Sequence, residues 1–295
     1  MLILQQHIVP EGIPRIRLLD YALQVFTTIP SRSNMKKVIM RGAILVDSQP
    51  GQKSDWVIEK QQITLIDLED KPPKPLDFKL EIIYEDEHLA IINKPAGIEV
   101  SGNKYFTIQN ALLANIKPSS ETDSLKWPLP VHRLDMPTSG LLLIAKTTTA
   151  IMKLGQQFET RKIKKKYHAI VAGSILDSGE IDSPIDGQIA LTNFKCINRC
   201  HSLKTKWLSS VELFPLTGRT HQLRIHMADY GFPIVGDKKY GKGPILVGKG
   251  LFLAAVELSF IHPHKNTPMN ITINHPKKFD SLLEREERKW VEHNK

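Results

Sequence analysis

Apolar residues early in the chain recur at helical spacing, whereas those after residue 80 come mostly in short runs bounded by turn residues. Ile16, Leu19, Leu23 and Phe26 share one helical face. A second short helix is expected after Ser31 or Ser33 as N-cap, with Met35, Val38 and Ile39 as its apolar stripe. Gly42 is placed to end that helix, and 43–46 reads as a strand. The stretch DKPPKPLDFK at 70–79 has the composition of a stiff exposed linker. Beyond it, LEIIYEDEHLAIINKPAGIEV gives two apolar strands around the acidic turn Glu85-Asp86-Glu87. Leu141 to Ala145 is an unbroken apolar run, short enough for a buried strand. Ile151, Leu154 and Phe158 mark a helix within 147–159, while Tyr167, Ala169 and Val171 alternate with Lys166, His168 and Ile170 as in a strand. The pattern divides the chain into a front module (1–69), a linker (70–79), a catalytic-sized domain (80–276) and a charged C-terminal surface helix (277–295).

Charge sharpens this division. Forty Lys/Arg against thirty-one Asp/Glu give a net charge of +9, which favours polyanionic partners. Between residues 15 and 66, eight basic residues face four acidic ones, and Arg32, Lys36, Lys37 and Arg41 crowd the second helix. Those four residues are the front module's candidate grip on a polyanion, although a basic helix is often only a solvated face. No apolar run approaches the roughly 18 residues of a membrane span, so no membrane partner is expected. The opening MLILQQHIVP lacks the basic start and long apolar stretch of a signal peptide, and the two cysteines are too few for a disulfide framework. A cytoplasmic location is expected.

Candidate chemistry narrows by elimination. His221 and His226 are five positions apart, on opposite faces of a strand and about 140° apart on a helix. His262 and His264 share a strand face but have no nearby ligand set, so no metal site is expected. Ser139 lacks the glycine two positions before it that a nucleophile elbow needs. What remains is His132, Arg133 and Asp135 just before the buried run, Tyr167 in a basic strand, and the guanidiniums of Arg219 and Arg224. A carboxylate and a guanidinium beside a buried strand form either a structural ion pair or a reaction centre. The cations suit phosphate binding and the aromatic suits an unpaired base.

HRLDMPTSG at 132–140 resembles the HRLDxxTSG signature of the RluA-type RNA pseudouridine synthases. YEDEHLAIINKPAG, KKYHAIVAG and TGRTHQLRIHMADYGFPIVGD resemble three further blocks of that family, in the same order. The likeness spans about Leu80 to Pro276, and the front module resembles the S-four-type (αL) RNA-binding domain. It implies an α+β fold with a long mixed, mainly antiparallel sheet, and isomerisation of uridine to pseudouridine in structured RNA. Ribosomal RNA is favoured over transfer RNA as the target. It also implies that Asp135 is the essential catalytic residue, that Tyr167 packs against the target base and that Arg224 pairs with Asp135. Arg133 would enter the space left by a flipped uridine. His132, Thr138 and Arg219, with Ser139 and Gly140, match positions that shape the substrate-binding loop. Such an isomerisation needs no cofactor, and a monomer without an obligate protein partner is expected.

Two departures carry expectations. Asp47-Ser48 stands where that RNA-binding module usually has Asn-Gly, which predicts a looser hairpin. The segment from Cys196 to Pro215 is short for the strands before the last block, which predicts a trimmed hairpin. The rival from another class is a non-catalytic RNA-binding or ribosome-assembly factor. A glycosidase would need a second carboxylate near Asp135.

Overall fold

The computed structural model describes residues 2–29, 31–67, 73–241 and 250–295. It comprises two compact units, residues 1–72 and 73–295. In the first, β1 (Leu2–Ile8), β2 (Ile44–Val46), β3 (Gln49–Pro50) and β4 (Gln62–Asp67) form a sheet in the order β1-β4-β2-β3, with α1 (Leu18–Val25) and α2 (Arg32–Met40). Leu18, Ala22 and Phe26 from the first helical segment meet Met35 and Ile39 from the second over Ile44, Ile63 and Leu65 of the sheet. Ser31 is the N-cap of α2, accepting a bond from the Asn34 N–H at 3.1 Å. Gly42 follows the helix at φ +77°, where a side chain would be strained.

The hairpin expected to be loose is tight. Asp47 and Ser48 both adopt left-handed backbone, and Val46 pairs directly with Gln49 across them. Two consecutive left-handed residues make a primed turn whose twist matches the strands. Asp47 tolerates that conformation and uses its carboxylate to accept the Gln62 N–H at 2.8 Å.

The second unit is built on β5 (Glu81–Glu85), β6 (Leu89–Lys94), β7 (Ser124–Pro130), β8 (Ser139–Thr147), β9 (Lys164–Ala172), β10 (Ser178–Ile181), β11 (Thr192–Ser202), β12 (Lys206–Pro215), β13 (Leu253–Ile261) and β14 (Pro268–Thr272). They form one ten-stranded sheet, β10-β11-β12-β9-β13-β8-β6-β5, with β14 on β13 and β7 on β8. Only the β13–β8 pair is parallel. The helices are α3 (Ile108–Asn115), α4 (Thr148–Glu159), α5 (Gln222–Asp229) and α6 (Lys278–His293).

The apolar run of β8 is explained by burial on both faces. Leu142 and Ile144 join α3 in one cluster, while Leu141, Leu143 and Ala145 join α4 in another. Gly140 is where β13 crosses closest. Its φ is +113°, and a Cβ there would collide with the Ala255 backbone.

The segment expected to be a trimmed hairpin is a long one. β11 and β12 pair from Thr192–Pro215 to Ser202–Lys206, with a bulge between Cys196 and Asn198. The bulge sends Cys196 and Cys200, four apart, to different clusters. Of the stretch read as a linker, 70–72 lies outside the described residues. Leu76 is buried with α3, and its N–H donates to the Asn110 carbonyl at 3.1 Å. The C-terminal helix sets Phe279, Leu282 and Leu283 against Ile170 and Leu208 of the sheet. Among the described residues, no helix is long and apolar enough to cross a membrane.

Candidate active site

Asp135 lies in the turn that feeds β8. The Thr138 N–H donates to the Asp135 carbonyl at 3.0 Å, and buried Leu134 anchors the turn in the core. Beneath it is Lys94, which has no exposed surface at all. Its ammonium donates to the carbonyls of Pro95 (2.8 Å), Thr138 (2.8 Å) and Met136 (3.3 Å). The Gly97 N–H also donates to the Met136 carbonyl, at 2.8 Å. Burial pushes the Lys94 amine down to about 8, while the charge of Asp135 pulls it up. The turn therefore rests on an internal cation that fixes its backbone from below.

Arg224 comes from α5 and forks onto Asp237, with Nε at 2.7 Å and Nη2 at 2.9 Å. Its remaining Nη1 donates to Asp135 Oδ2 at 3.2 Å. Burial opposes the charge on Arg224, but Asp237 and then Asp135 outweigh it and raise its pKa. Asp237 is pulled down by the same pairing and by the N–H groups of Lys239 and Tyr240, against the effect of burial. Sequence reasoning paired Arg224 with Asp135 alone. Its main partner is Asp237, which leaves Asp135 with a single guanidinium hydrogen bond and a second oxygen not used by it.

That oxygen faces His221. The Nε2 of His221 lies 3.7 Å from Asp135 Oδ1, and its Nδ1 is 2.7 Å from the Tyr240 hydroxyl. His221 has φ +57°, an uncommon conformation for a side-chain-bearing residue and one that clusters at functional sites. Burial lowers its pKa, with Asp135 acting in the opposite direction. Tyr240, Asp237 and Lys94 were not singled out from the sequence, and His221 was weighed there only as a metal ligand. Lys94 had a readable signal, because it continues the inward Ala90–Ile92 alternation of β6 with a charge.

A cavity of about 310 Å³ opens over Asp135, lined by Arg133, Tyr167, Arg219 and Arg224 among others. Burial, and then the charge of Asp135, raise the pKa of the Tyr167 phenol and keep it neutral. Arg133 is exposed, and its guanidinium makes no hydrogen bond or ion pair to a described residue. Arg219 spends Nε on the Ile189 carbonyl at 3.0 Å. Thr138 is nearly buried at the cavity floor. His132 turns its Nε2 to accept the Leu143 N–H at 3.1 Å, so that nitrogen is committed to the β8 backbone. Burial and nearby Lys165 push His132 down to about 3, which fits an acceptor. The expected residues Asp135, Tyr167, Arg224, Arg133, His132, Thr138 and Arg219 thus border one space.

The candidate RNA-grip residues Arg32, Lys36, Lys37 and Arg41 are separate, in the first unit. All are exposed, whereas Met35 and Ile39 of α2 are buried, and Arg32 is ion-paired with Asp20. Among the described residues, no cluster of three or more His, Cys, Asp or Glu could hold a metal ion.

Residues 88–229 match the family model described as RNA pseudouridylate synthase. An uncharacterized RNA pseudouridine synthase of Aquifex aeolicus is 34% identical, the match spanning 89% of this chain and 90% of that protein. The ribosomal large subunit pseudouridine synthase D of Pseudomonas aeruginosa is 35% identical over 79% of this chain and 76% of its own length. Among solved structures, the human RNA pseudouridylate synthase domain containing 4 superimposes with a TM-score of 0.56 at 25% identity, covering 70% of this chain and 92% of that one.

Proposed function

This chain belongs to the RluA-type RNA pseudouridine synthases, isomerases that act on RNA, and from that premise we propose that it modifies large-subunit ribosomal RNA by base flipping with Asp135 as the essential carboxylate. The observation that carries the catalytic assignment is the state of Asp135. It is part-buried, held by one guanidinium hydrogen bond, and open to a cavity walled by an aromatic ring.

The reaction breaks the N1–C1′ bond, rotates the base and joins C5 to C1′. A proton leaves C5 and one is gained at N1, so there is no net redox change and no cofactor is called for. A uridine stacked in RNA must leave the stack to reach Asp135, at a cost of a few kcal/mol. Arg133, whose guanidinium has no partner among the described residues, offsets part of that cost by occupying the vacated space. Tyr167 presents a neutral ring to the displaced base. Arg224, locked by Asp237, keeps the Asp135 carboxylate oriented. The basic face of α2 supplies sequence-independent phosphate contacts. The protein works in the cytoplasm as a monomer without an obligate protein partner. Ribosomal RNA is favoured over transfer RNA by the relative from Pseudomonas aeruginosa, named for the large ribosomal subunit.

The test is incubation with unmodified large-subunit ribosomal RNA and unmodified transfer RNA, followed by pseudouridine counting by mass spectrometry. Gain of pseudouridine in ribosomal RNA, abolished by Asp135→Asn, is expected. Activity that survives unchanged in Asp135→Asn removes the aspartate from the mechanism, and modification of transfer RNA alone overturns the target.

A further inference from the structure

Cations with restricted exposure in this unit generally have carboxylate partners. Lys146 pairs with Glu85 at 2.9 Å, Lys166 with Glu257 at 2.9 Å and Glu212 at 3.4 Å, and Arg224 with Asp237 at 2.7 Å. Half-buried Lys165 and Arg219 and exposed Arg161 line a second cavity of about 370 Å³, and none of them has an ion pair with a described carboxylate. This cavity shares Phe158, Lys165, Thr217, Gly218 and Arg219 with the cavity over Asp135.

Neighbouring lysines on β9 make the contrast within one strand. Lys166 points to the face where Glu212 and Glu257 hold it. Lys165 points to the other face, where its ammonium has, among the described residues, only the Thr217 carbonyl, at 3.5 Å. Burial lowers its pKa, a cost that an anion beside it would remove. Arg219 commits its Nε to the Ile189 carbonyl and keeps its terminal nitrogens for the cavities.

Arg161 adds a backbone observation. It follows α4 at φ +57°, a C-terminal position where glycine is the unstrained choice. An arginine there brings a third cation to the cavity wall at a conformational cost. The one carboxylate in that wall, Glu159, is exposed and pairs with none of the three.

We propose that this second cavity seats one backbone phosphate of the RNA strand next to the uridine held over Asp135. The seat rests on the reading of the first cavity as the uridine site. Three cations from the end of α4, from β9 and from the loop before α5 converge on it, and a phosphodiester supplies the missing negative charge. Because the two cavities share a wall, the seat sets the direction in which the strand leaves the active site.

The experiment measures binding of unmodified large-subunit ribosomal RNA transcript by filter retention across a potassium chloride series. Wild type is compared with Arg161→Gly, Lys165→Met, Arg161→Lys and Glu159→Gln. Each of Arg161→Gly and Lys165→Met is expected to weaken binding and reduce the salt slope by about 1. Arg161→Lys should restore the slope, and Glu159→Gln should tighten binding. Arg161→Gly should melt no lower than wild type, since glycine suits that backbone, which separates lost charge from lost fold. In turnover assays its KM should rise by more than its kcat falls. Slopes equal to wild type in both Arg161→Gly and Lys165→Met overturn the seat. Binding is read without turnover, so the two readings fail separately. Altered slopes in a protein that never isomerises uridine would support the seat and sink the reaction. Normal isomerisation with unaltered slopes would sink the seat alone.

Discussion

Two aspartates sit at opposite ends of the β6–β8 strand pair and are equally exposed, each with 17% of its side chain accessible. Asp86, in the β5–β6 turn, is saturated. It accepts from the N–H groups of His88 and Leu89, from the Tyr84 hydroxyl at 2.8 Å, from His262 at 2.8 Å and from Lys265 at 3.3 Å. The Nδ1 of His262 accepts two backbone N–H groups, so its Nε2 carries the hydrogen and donates to Asp86. Burial opposes ionisation of Asp86, yet these donors hold it far below the usual carboxylate range. The Asp135 carboxylate has one hydrogen bond to a described residue and an imidazole just out of reach. At equal burial, the two acids differ in unspent acceptor capacity.

The largest expected effect tests that difference directly. Asp135→Asn should lower isomerisation at saturating RNA by roughly 10²–10⁴-fold and leave the melting temperature close to wild type. Asp86→Ala should do the reverse, costing about 3–5 kcal/mol of stability because His262 loses its buried partner, with turnover per folded molecule retained. Urea titration beside single-turnover assays checks both. Matching losses of stability in the two variants would erase the distinction.

The cation below the Asp135 turn comes next. Lys94→Met should cost about 1–3 kcal/mol for the carbonyls it leaves unpaired and should also lower turnover, since the turn carrying Asp135 loses its floor. Chemical denaturation and kcat measured on the same preparation would show the coupled loss. A Lys94→Met protein with full kcat would show that the turn holds its shape without the cation.

Acid should reach the two ends at different pH. His132 and His168 have folded pKa values near 3 and 4, below the ordinary histidine value. Burial comes first in both cases, followed by Lys165 for His132 and His275 for His168. As pH falls below about 6.5, the unfolded chain takes up protons that the folded chain refuses, so stability drops by up to about 1.4 kcal/mol per pH unit for each histidine. That stability is complete above this range. Asp86 contributes its share of stability above its unfolded pKa and loses it only below about pH 4. Urea midpoints measured between pH 7 and 4 should fall, and His132→Gln should flatten the fall.

The smallest effect is Tyr84→Phe. It removes one of several donors to Asp86 and should cost only about 0.5–1.5 kcal/mol, measurable as a small shift in urea midpoint with kcat unaltered.

Much of the site was legible because its parts lie in compact motifs. Asp135, Tyr167 and Arg224 stand in blocks whose order and spacing resemble a family, and the run after Asp135 reads as a buried strand without any family. What stayed hidden depends on contacts between distant segments. Asp237 is the anchor of Arg224 and stands in the same block, but their separation of 13 positions, from a helix to a loop, follows no helix or strand period and so marks no pairing. That helix also defeats periodicity, since it buries Gln222, Arg224 and His226. Gln222 binds Thr217, Leu191 and Thr192, and His226 binds Thr192 and Ser183. Polar Gln222, Arg224 and His226 are thus buried on α5 beside apolar Leu223 and Met227. In the front module, β1 carries exposed Ile3, Leu4 and Ile8 on an outer strand, so its pattern gave no inward face to read. The Asp47-Ser48 turn was misjudged because aspartate and serine can take up left-handed backbone when the flanking strands demand it.

The separation between Asp135 and its guanidinium, 89 positions along the chain, sets a delay during synthesis. At about 5–20 residues per second, Arg224 is made roughly 4–18 seconds after Asp135. Throughout that interval the nascent chain already carries Asp135 and the strand behind it, but not the guanidinium that holds the carboxylate in place. The cavity wall is complete only when the segment bearing Arg224 and Asp237 has been made and has folded back.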